Sequence, residues 1–196
     1  MSAADPIQRF RALLAAAAAV PRERLAEPTA FCLATADTEG RPSARMLLLK
    51  DVDERGFVFY TNYESRKGRE LLARPWAALC FHWQPLEVQV RVEGPVAVVD
   101  PGEADAYFAS RARGSQISAW ASRQSRPLAA PEELEARVGE FTRRFDGGPV
   151  PRPPHWSGFR LAPARIEFWK NMPSRLHDRD LYERDGAEWR VEKLHP

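Results

Sequence analysis

Several segments of this chain place cations at spacings suited to gripping an anion. The densest is Tyr60-Thr61-Asn62-Tyr63-Glu64-Ser65-Arg66-Lys67, where an apolar run gives way to a polar turn and then to a helix opening on adjacent cations. Free N–H groups at a helix N-terminus attract phosphate. Cations in a first helical turn oppose the helix dipole, a conflict that a bound anion relieves. Arg45 and Lys50 flank the apolar run Met46, Leu47, Leu48 and Leu49. Five residues apart, they fall on opposite faces of a regular strand. They share a pocket only if the strand end bends; otherwise they are two solvated strand ends. Tyr107, Arg111 and Ser115 follow at intervals of four, with Arg113 between the last two. They can share one face of a helix and its end, or form an ordinary amphipathic helix end. Arg175-Leu176-His177-Asp178-Arg179 reads as an extended segment, with Arg175, His177 and Arg179 pointing together and Leu176 packed inward. Such a row repels itself unless an anion or an aromatic ring faces it; the alternative is a solvated strand edge. Of these, the segment over 60–67 follows phosphate-site logic, without a glycine-rich loop.

The elements that must position these residues follow from periodicity. Asp5, Pro6 and Gln8 mark a helix start, and Ile7, Phe10, Leu13, Leu14 and Ala17 keep helical spacing. The alanine-rich run over 13–20 is therefore expected to be an amphipathic opening helix rather than a secretory leader. Strands are expected over 29–35, 43–50 and 57–61, with turns at 37–40 and 53–56. A short helix over 65–73 carries Arg66 and Lys67 and stops before Pro75. Strands follow over 76–83 and 86–93; in the latter Val88, Val90 and Val92 share one face, and Glu87, Gln89, Arg91 and Glu93 the other. Gly94-Pro95 is expected to break this strand before it resumes over 96–99. Asp100, Pro101 and Glu103 give a capping-box start to a helix reaching about Ser110. A helical piece over 116–121 and a helix over 131–145 follow, the latter burying Leu134, Val138 and Phe141. A proline-rich connection over 147–154 leads to strands over 158–161, 165–169, 180–184 and 188–194, with Asp185-Gly186 as the final hairpin turn. Roughly eight strands joined by short turns predict a mainly β fold with peripheral helices, an antiparallel sheet closing on itself into a small barrel.

Composition sets the bounds. A chain of 196 residues, 44% hydrophobic, is expected to form one domain with a substantial core. A formal charge of +2 does not point to nucleic acid, and no concentrated basic patch interleaves with aromatics. Cys32 and Cys80 sit in apolar runs and are expected as buried free thiols. No metal-ligand spacing is present, and no apolar run reaches transmembrane length. The pattern suits a reducing cytoplasm.

In order along the chain stand Arg45-Met46-Leu47-Leu48-Leu49-Lys50, Phe59-Tyr60-Thr61-Asn62, Ser65-Arg66-Lys67, Gln89-Val90, Ser115-Gln116-Ile117, Gln124-Ser125, Ile166-Glu167-Phe168-Trp169 and Arg175-Leu176-His177-Asp178-Arg179. This ordered set resembles the pyridoxine/pyridoxamine 5′-phosphate oxidase family, from about Asp5 to Pro196; the terminal Lys193-Leu194-His195-Pro196 resembles the family ending. The resemblance implies an FMN-binding antiparallel split β-barrel, homodimeric, with flavin at the subunit interface. The single domain would span 1–196, with an N-terminal helix region over 1–20 and a C-terminal dimerisation and substrate-ring segment over 155–196. It implies that Arg45, Lys50, Arg66 and Lys67 serve the FMN phosphate and ribityl chain, and that Met46, Leu47, Leu48 and Leu49 pass beside the flavin. Tyr60, Thr61, Gln89, Gln124, Ser125, Trp169 and Arg179 complete that site, some from the partner subunit. Lys50, Tyr107, Arg111 and Ser115 would bind the substrate phosphate, and Arg175 and His177 would cover the pyridine ring as the catalytic pair. The implied reaction oxidises pyridoxine or pyridoxamine 5′-phosphate to pyridoxal 5′-phosphate, with dioxygen reoxidising the flavin and yielding hydrogen peroxide.

Three features depart from the family pattern. The chain starts close to Asp5-Pro6, where many members carry a further basic and aromatic segment. Val88 stands where many have arginine, and Asn171-Met172-Pro173 is not the common wording. Two other readings are a related FMN oxidase acting on a phenazine-type substrate and a flavin-binding module without turnover. Retention of Lys50, Tyr107, Arg111 and Ser115 together favours the phosphorylated pyridine.

Overall fold

Alternating apolar residues form the strands of this chain, and the structure, a computed structural model, describes residues 5–196. The first four residues of the expected N-terminal region lie outside the described residues. Helix α1 (Pro6–Ala18) is capped by Asp5, which accepts from the Ile7 N–H at 2.9 Å, and it buries Ile7, Phe10 and Ala17. Then come β1 (Ala30–Ala36), β2 (Pro42–Leu48), β3 (Asp51–Asp53), β4 (Gly56–Asn62), α2 (Arg66–Ala73), β5 (Trp76–Trp83) and β6 (Val88–Val98). Three helices follow, α3 (Pro101–Ser110), α4 (Arg113–Ala121) and α5 (Pro131–Arg144). The chain closes with β7 (Trp156–Leu161), β8 (Arg165–Lys170), β9 (Asp178–Asp185) and β10 (Glu188–Lys193).

The ten strands among the described residues form one curled antiparallel sheet, in the order β10-β9-β8-β6-β5-β1-β2, with β7, β4 and β3 branching from β6. This is the expected mainly β architecture with peripheral helices. Strand β6 is the fork. Its first half, Val88 to Glu93, pairs with β8, and its end, Val96 to Val98, pairs with β7. The predicted break at Gly94-Pro95 does not occur: β6 is one strand of 11 residues. Glycine stands at the fork because the link between β7 and β8 passes against its backbone; a Cβ there would lie 2.0 Å from the Ala162 carbonyl oxygen. Pro95 lacks an N–H but its carbonyl accepts from Ala162 at 2.9 Å, so the fork keeps its ladder.

The inner face of the curl is aromatic. Phe10 meets Phe57 and Phe81 edge-on, with centroids 4.8 and 4.9 Å apart, and Phe31, Phe59 and Trp83 complete the fully buried centre. Cys32 and Cys80 are free but only half-buried, contrary to expectation, and face each other across β1 and β5. Phe31, Leu33, Leu79 and Phe81 take the core face of these strands, so the cysteines fall on the outer one. Three other expectations change. Residues 51–53, beside an expected turn, form a short strand on β4. The buried stripe of α5 reduces mainly to Phe141, because Leu134 is 37% exposed and Val138 only half-buried. Asp100 caps α3 through the Gly102 N–H, but Glu103 does not fold back to close a capping box. Among the described residues no helix is long and apolar enough to cross a membrane, and no group of three or more His, Cys, Asp or Glu is placed to hold a metal ion.

Candidate active site

The end of β4 forms the floor of a cavity. Tyr60 lies opposite Gly158 of β7, and only glycine leaves room for its ring; a Cβ would sit 2.7 Å from Cε1. The flattened Tyr60 ring stacks on Tyr107 of α3 at 4.0 Å and on Trp156 of β7 at 5.3 Å. Burial, then the nearby Glu103 and Tyr107, pushes the Tyr60 hydroxyl up to about 12, so it stays protonated at neutral pH. Helix α3 ends at Arg111, α4 brings Ser115 one turn later, and Lys50 follows the end of β2. Lys50, Tyr60, Thr61, Asn62, Tyr107, Arg111, Ser115, Gln124 and Trp156 line one cavity of about 320 Å³. All four residues expected to bind the substrate phosphate thus face a common space.

Arg111 is the least satisfied group there. Its guanidinium carbon lies 4.7 Å from the Trp156 ring centroid and 5.6 Å from that of Phe108. Its Nη1 is buried and has no hydrogen-bond partner among the described residues. Burial lowers its pKa, against the opposing effect of Tyr107, but a guanidinium remains charged. A buried charged donor without an acceptor costs at least about 1–3 kcal/mol. An anion in the cavity would remove that cost.

A second cationic cluster surrounds the start of α2. Ser65 caps the helix, accepting from the Gly68 N–H at 3.2 Å and donating to the Asn62 carbonyl at 2.6 Å. That fold-back draws Lys67 inward until it is 7% exposed. Its ammonium reaches only Thr61 Oγ1 at 3.3 Å and Gln124 Oε1 at 3.5 Å, with no ion pair among the described residues. Burial, followed by repulsion from Arg45, pushes the Lys67 pKa down. Arg45 and Arg66 instead converge on Glu70. Glu70 accepts from Arg66 at 2.8 Å, Ser43 at 2.7 Å and Arg45 at 3.3 Å, and also from Thr35. Burial alone would raise the Glu70 pKa, but the hydrogen bonds of Thr35, Ser43 and Arg66 and the charge of Arg45 hold it at about 2. Arg45 and Lys50 do not share a pocket. Strand β2 ends at Leu48, so Lys50 turns to the cavity while Arg45 stays with Glu70.

A carboxylate held below its ordinary value of 4.5 stabilises the fold above that pH, and the gain is lost as pH falls towards 2. The contribution is on the order of 3 kcal/mol at neutral pH. Glu70→Gln is therefore expected to lower urea-unfolding stability clearly at pH 7, with the difference from wild type shrinking between pH 4.5 and pH 3. A difference that stays constant over that range would show that the carboxylate's charge is not what Thr35, Ser43 and Arg66 stabilise.

The remaining expected site residues lie elsewhere on the sheet. Gln89, Trp169 and Arg179 stand side by side across β6, β8 and β9. Arg179 donates to Glu167 at 2.9 Å and to the His195 carbonyl at 2.7 Å. Burial raises the Glu167 pKa, but hydrogen bonds from Arg179 and Arg91 bring it below the usual carboxylate range. The His177 ring lies against Trp169, centroids 4.6 Å apart. The expected extended alternation over 175–179 fails. Ser174 and Arg175 have φ of 58° and 60°, left-handed values that turn the chain, and strand geometry begins only at Asp178. Leu176 consequently is 69% exposed rather than packed inward. Ser125 also has a positive φ, 68°, and lies in the exposed loop after α4. In β2, Met46 is 62% and Leu48 37% exposed, Leu47 is half-buried and Leu49 buried. Two organising carboxylates, Glu70 and Glu167, and the cavity wall Trp156 were not anticipated. The spacing of four between Arg66 and Glu70 was a signal for the first; Trp156 had none.

Residues 19–145 match the family described as pyridoxamine 5′-phosphate oxidase, and residues 156–196 match the pyridoxine 5′-phosphate oxidase C-terminal dimerisation region. A pyridoxine/pyridoxamine 5′-phosphate oxidase from Myxococcus xanthus is 62% identical, covering 98% of this chain and 92% of its own length. Among solved structures, PhzG from Burkholderia lata in complex with tetrahydrophenazine-1-carboxylic acid superposes with a TM-score of 0.91 at 36% identity, covering 99% of this chain and 94% of that one. A pyridoxamine 5′-phosphate oxidase-related, FMN-binding protein from Nostoc punctiforme, 20% identical, shares the fold over the full length of both chains at a TM-score of 0.74.

Proposed function

Because the chain belongs to the pyridoxamine 5′-phosphate oxidase family, we propose that it oxidises pyridoxine or pyridoxamine 5′-phosphate to pyridoxal 5′-phosphate, using FMN and dioxygen and releasing hydrogen peroxide. The observation carrying this reading is the buried Arg111 Nη1, without a hydrogen-bond partner among the described residues, in a cavity shared with Lys50, Tyr107 and Ser115. A phosphate ester supplies the acceptors that this set lacks.

The residues around α2 fit FMN. Lys67 is a buried cation that makes no ion pair among the described residues, and Arg45 and Arg66 are already oriented by Glu70. These three would hold the FMN phosphate, with Gln124 and Ser125 beside them. The segment from Met46 to Lys50 would run along the flavin, with Tyr60 and Thr61 closing one side and Gln89, Trp169 and Arg179 the other. When bound, FMN accepts hydride from the substrate carbon bearing the alcohol or amine. The protein's part is position. Lys50, Tyr107, Arg111 and Ser115 anchor the phosphate far from the reacting carbon, and that binding energy holds the carbon in place for transfer. Arg175 and His177 would cover the ring. They do not line the cavity of their own chain, and the match of residues 156–196 to a dimerisation region supports their delivery by a second copy.

The test is anaerobic mixing of FMN-loaded protein with pyridoxine 5′-phosphate while the flavin absorbance is followed. Bleaching is expected, with recovery and peroxide release on admitting dioxygen. A flavin band that persists would reject the reaction. A second reading rests on the likeness to PhzG: bleaching by a reduced tricyclic carboxylate but not by pyridoxine 5′-phosphate would establish it. Arg175→Ala is expected to retain FMN while kcat falls about 100-fold, since loss of a clamp misplaces the reacting carbon. Wild-type turnover in that variant would remove the clamp from the mechanism.

A further inference from the structure

Glu103 sits at the third position of α3, where a capping-box glutamate would turn back to its own helix. It is used otherwise. Both its oxygens accept from Arg160 Nη2, at 3.0 and 3.1 Å, while Arg160 Nη1 donates to Asp53 Oδ1 at 2.7 Å. The Arg160 side chain is only 12% exposed. One guanidinium of β7 therefore ties two elements that meet at the cavity. Asp53 opens the turn into β4, which carries Tyr60. Glu103 lies one helical turn before Tyr107 and two before Arg111 on the same helix and its cap. The apolar anchors of α3, Ala104 and Phe108, pack in two different clusters. A further ion pair, Arg152 to Asp105, joins α3 to the loop preceding β7.

We infer that Arg160 and Glu103 are positioning residues for the phosphate end of the substrate: their ion pair sets α3 against β7, where Arg160 lies opposite Val58 of β4, and so places Tyr107 on Tyr60 and Arg111 over Trp156. The inference rests on the reading of this cavity as the phosphate site. Neither side chain touches the cavity. Its effect is on substrate grip, and the α2 cluster around Glu70 is untouched.

Glu103→Gln keeps the shape and cuts the charge on the α3 arm. Asp53→Asn cuts the other arm and leaves the pair with Glu103. For Glu103→Gln, KM for pyridoxine 5′-phosphate is expected to rise about 10-fold, with kcat within about two-fold of wild type and FMN affinity unchanged. For Asp53→Asn, KM is expected to stay within about two-fold even where its Tm falls as much. Similar Tm losses in both variants with no change in KM would reduce the cluster to a structural role and overturn the inference. So would a parallel loss of KM, kcat and FMN affinity in Glu103→Gln. Calorimetric titration of the FMN-loaded proteins with inorganic phosphate gives the same comparison without turnover. Binding about 10-fold weaker in Glu103→Gln is expected, and unchanged binding would overturn the positioning role. A wild type that binds phosphate but fails to oxidise pyridoxine 5′-phosphate would instead reject the proposed reaction, with the calorimetry still deciding the role of Glu103.

Discussion

Arg111→Ala is expected to raise the KM for pyridoxine 5′-phosphate about 100-fold while FMN affinity stays within a factor of about three. The guanidinium is held between Trp156 and Phe108 with one buried nitrogen lacking an acceptor. Its orientation is set before any ligand arrives, so little ordering cost offsets the gain on binding. Hydrogen bonds to charged groups contribute about 1.5–3 kcal/mol each, and about 2.7 kcal/mol corresponds to 100-fold. Arg111 lines the cavity while Arg45, Arg66 and Lys67 do not, so FMN is expected to be spared. Steady-state kinetics and a flavin fluorescence titration on the same preparation check both halves. An equal loss of substrate and FMN affinity would show that one anion site, not two, occupies this region.

Lys67→Met is expected to move two quantities in opposite directions. The ammonium is nearly fully buried, with only Thr61 and Gln124 as distant partners. A lysine whose folded pKa is lowered is penalised in its charged form, and that penalty applies at neutral pH, where the unfolded chain is fully protonated. Methionine fills similar space without the charge. The FMN-free protein should therefore be more stable by about 1 kcal/mol, while FMN binds about 100-fold more weakly because a buried phosphate contact is gone. Thermal unfolding without FMN and a binding titration measure the two effects. A variant that is destabilised without FMN and still binds it normally would assign Lys67 to structure alone.

Much of this was legible in the residues. The cations of Ser65-Arg66-Lys67 raise the expectation of an anion site at α2, and the spacing of Tyr107, Arg111 and Ser115 allows the shared face with which they line the cavity. Both signals are local, arising from a helix start and a helix face. What escaped the sequence depended on long-range packing. Gly94-Pro95 looked like a strand break, but its glycine admits the neighbouring backbone at the fork of the sheet. Leu176 looked like an inward residue because alternation was counted from Arg175, whereas the left-handed pair at Ser174 and Arg175 delays the strand. Trp156 gave no signal because its role is to stack with Tyr60 and support Arg111, residues far away in the chain.

In the proposed function, substrate is recognised through its phosphate before the ring is oxidised. The most direct measurement is the ratio of kcat/KM for pyridoxine 5′-phosphate to that for unphosphorylated pyridoxine, with the FMN-loaded protein under identical conditions. Contacts from Arg111 and Lys50 alone, at about 2 kcal/mol or more each, require a ratio near 10³. Comparable kcat/KM for the two compounds would contradict it.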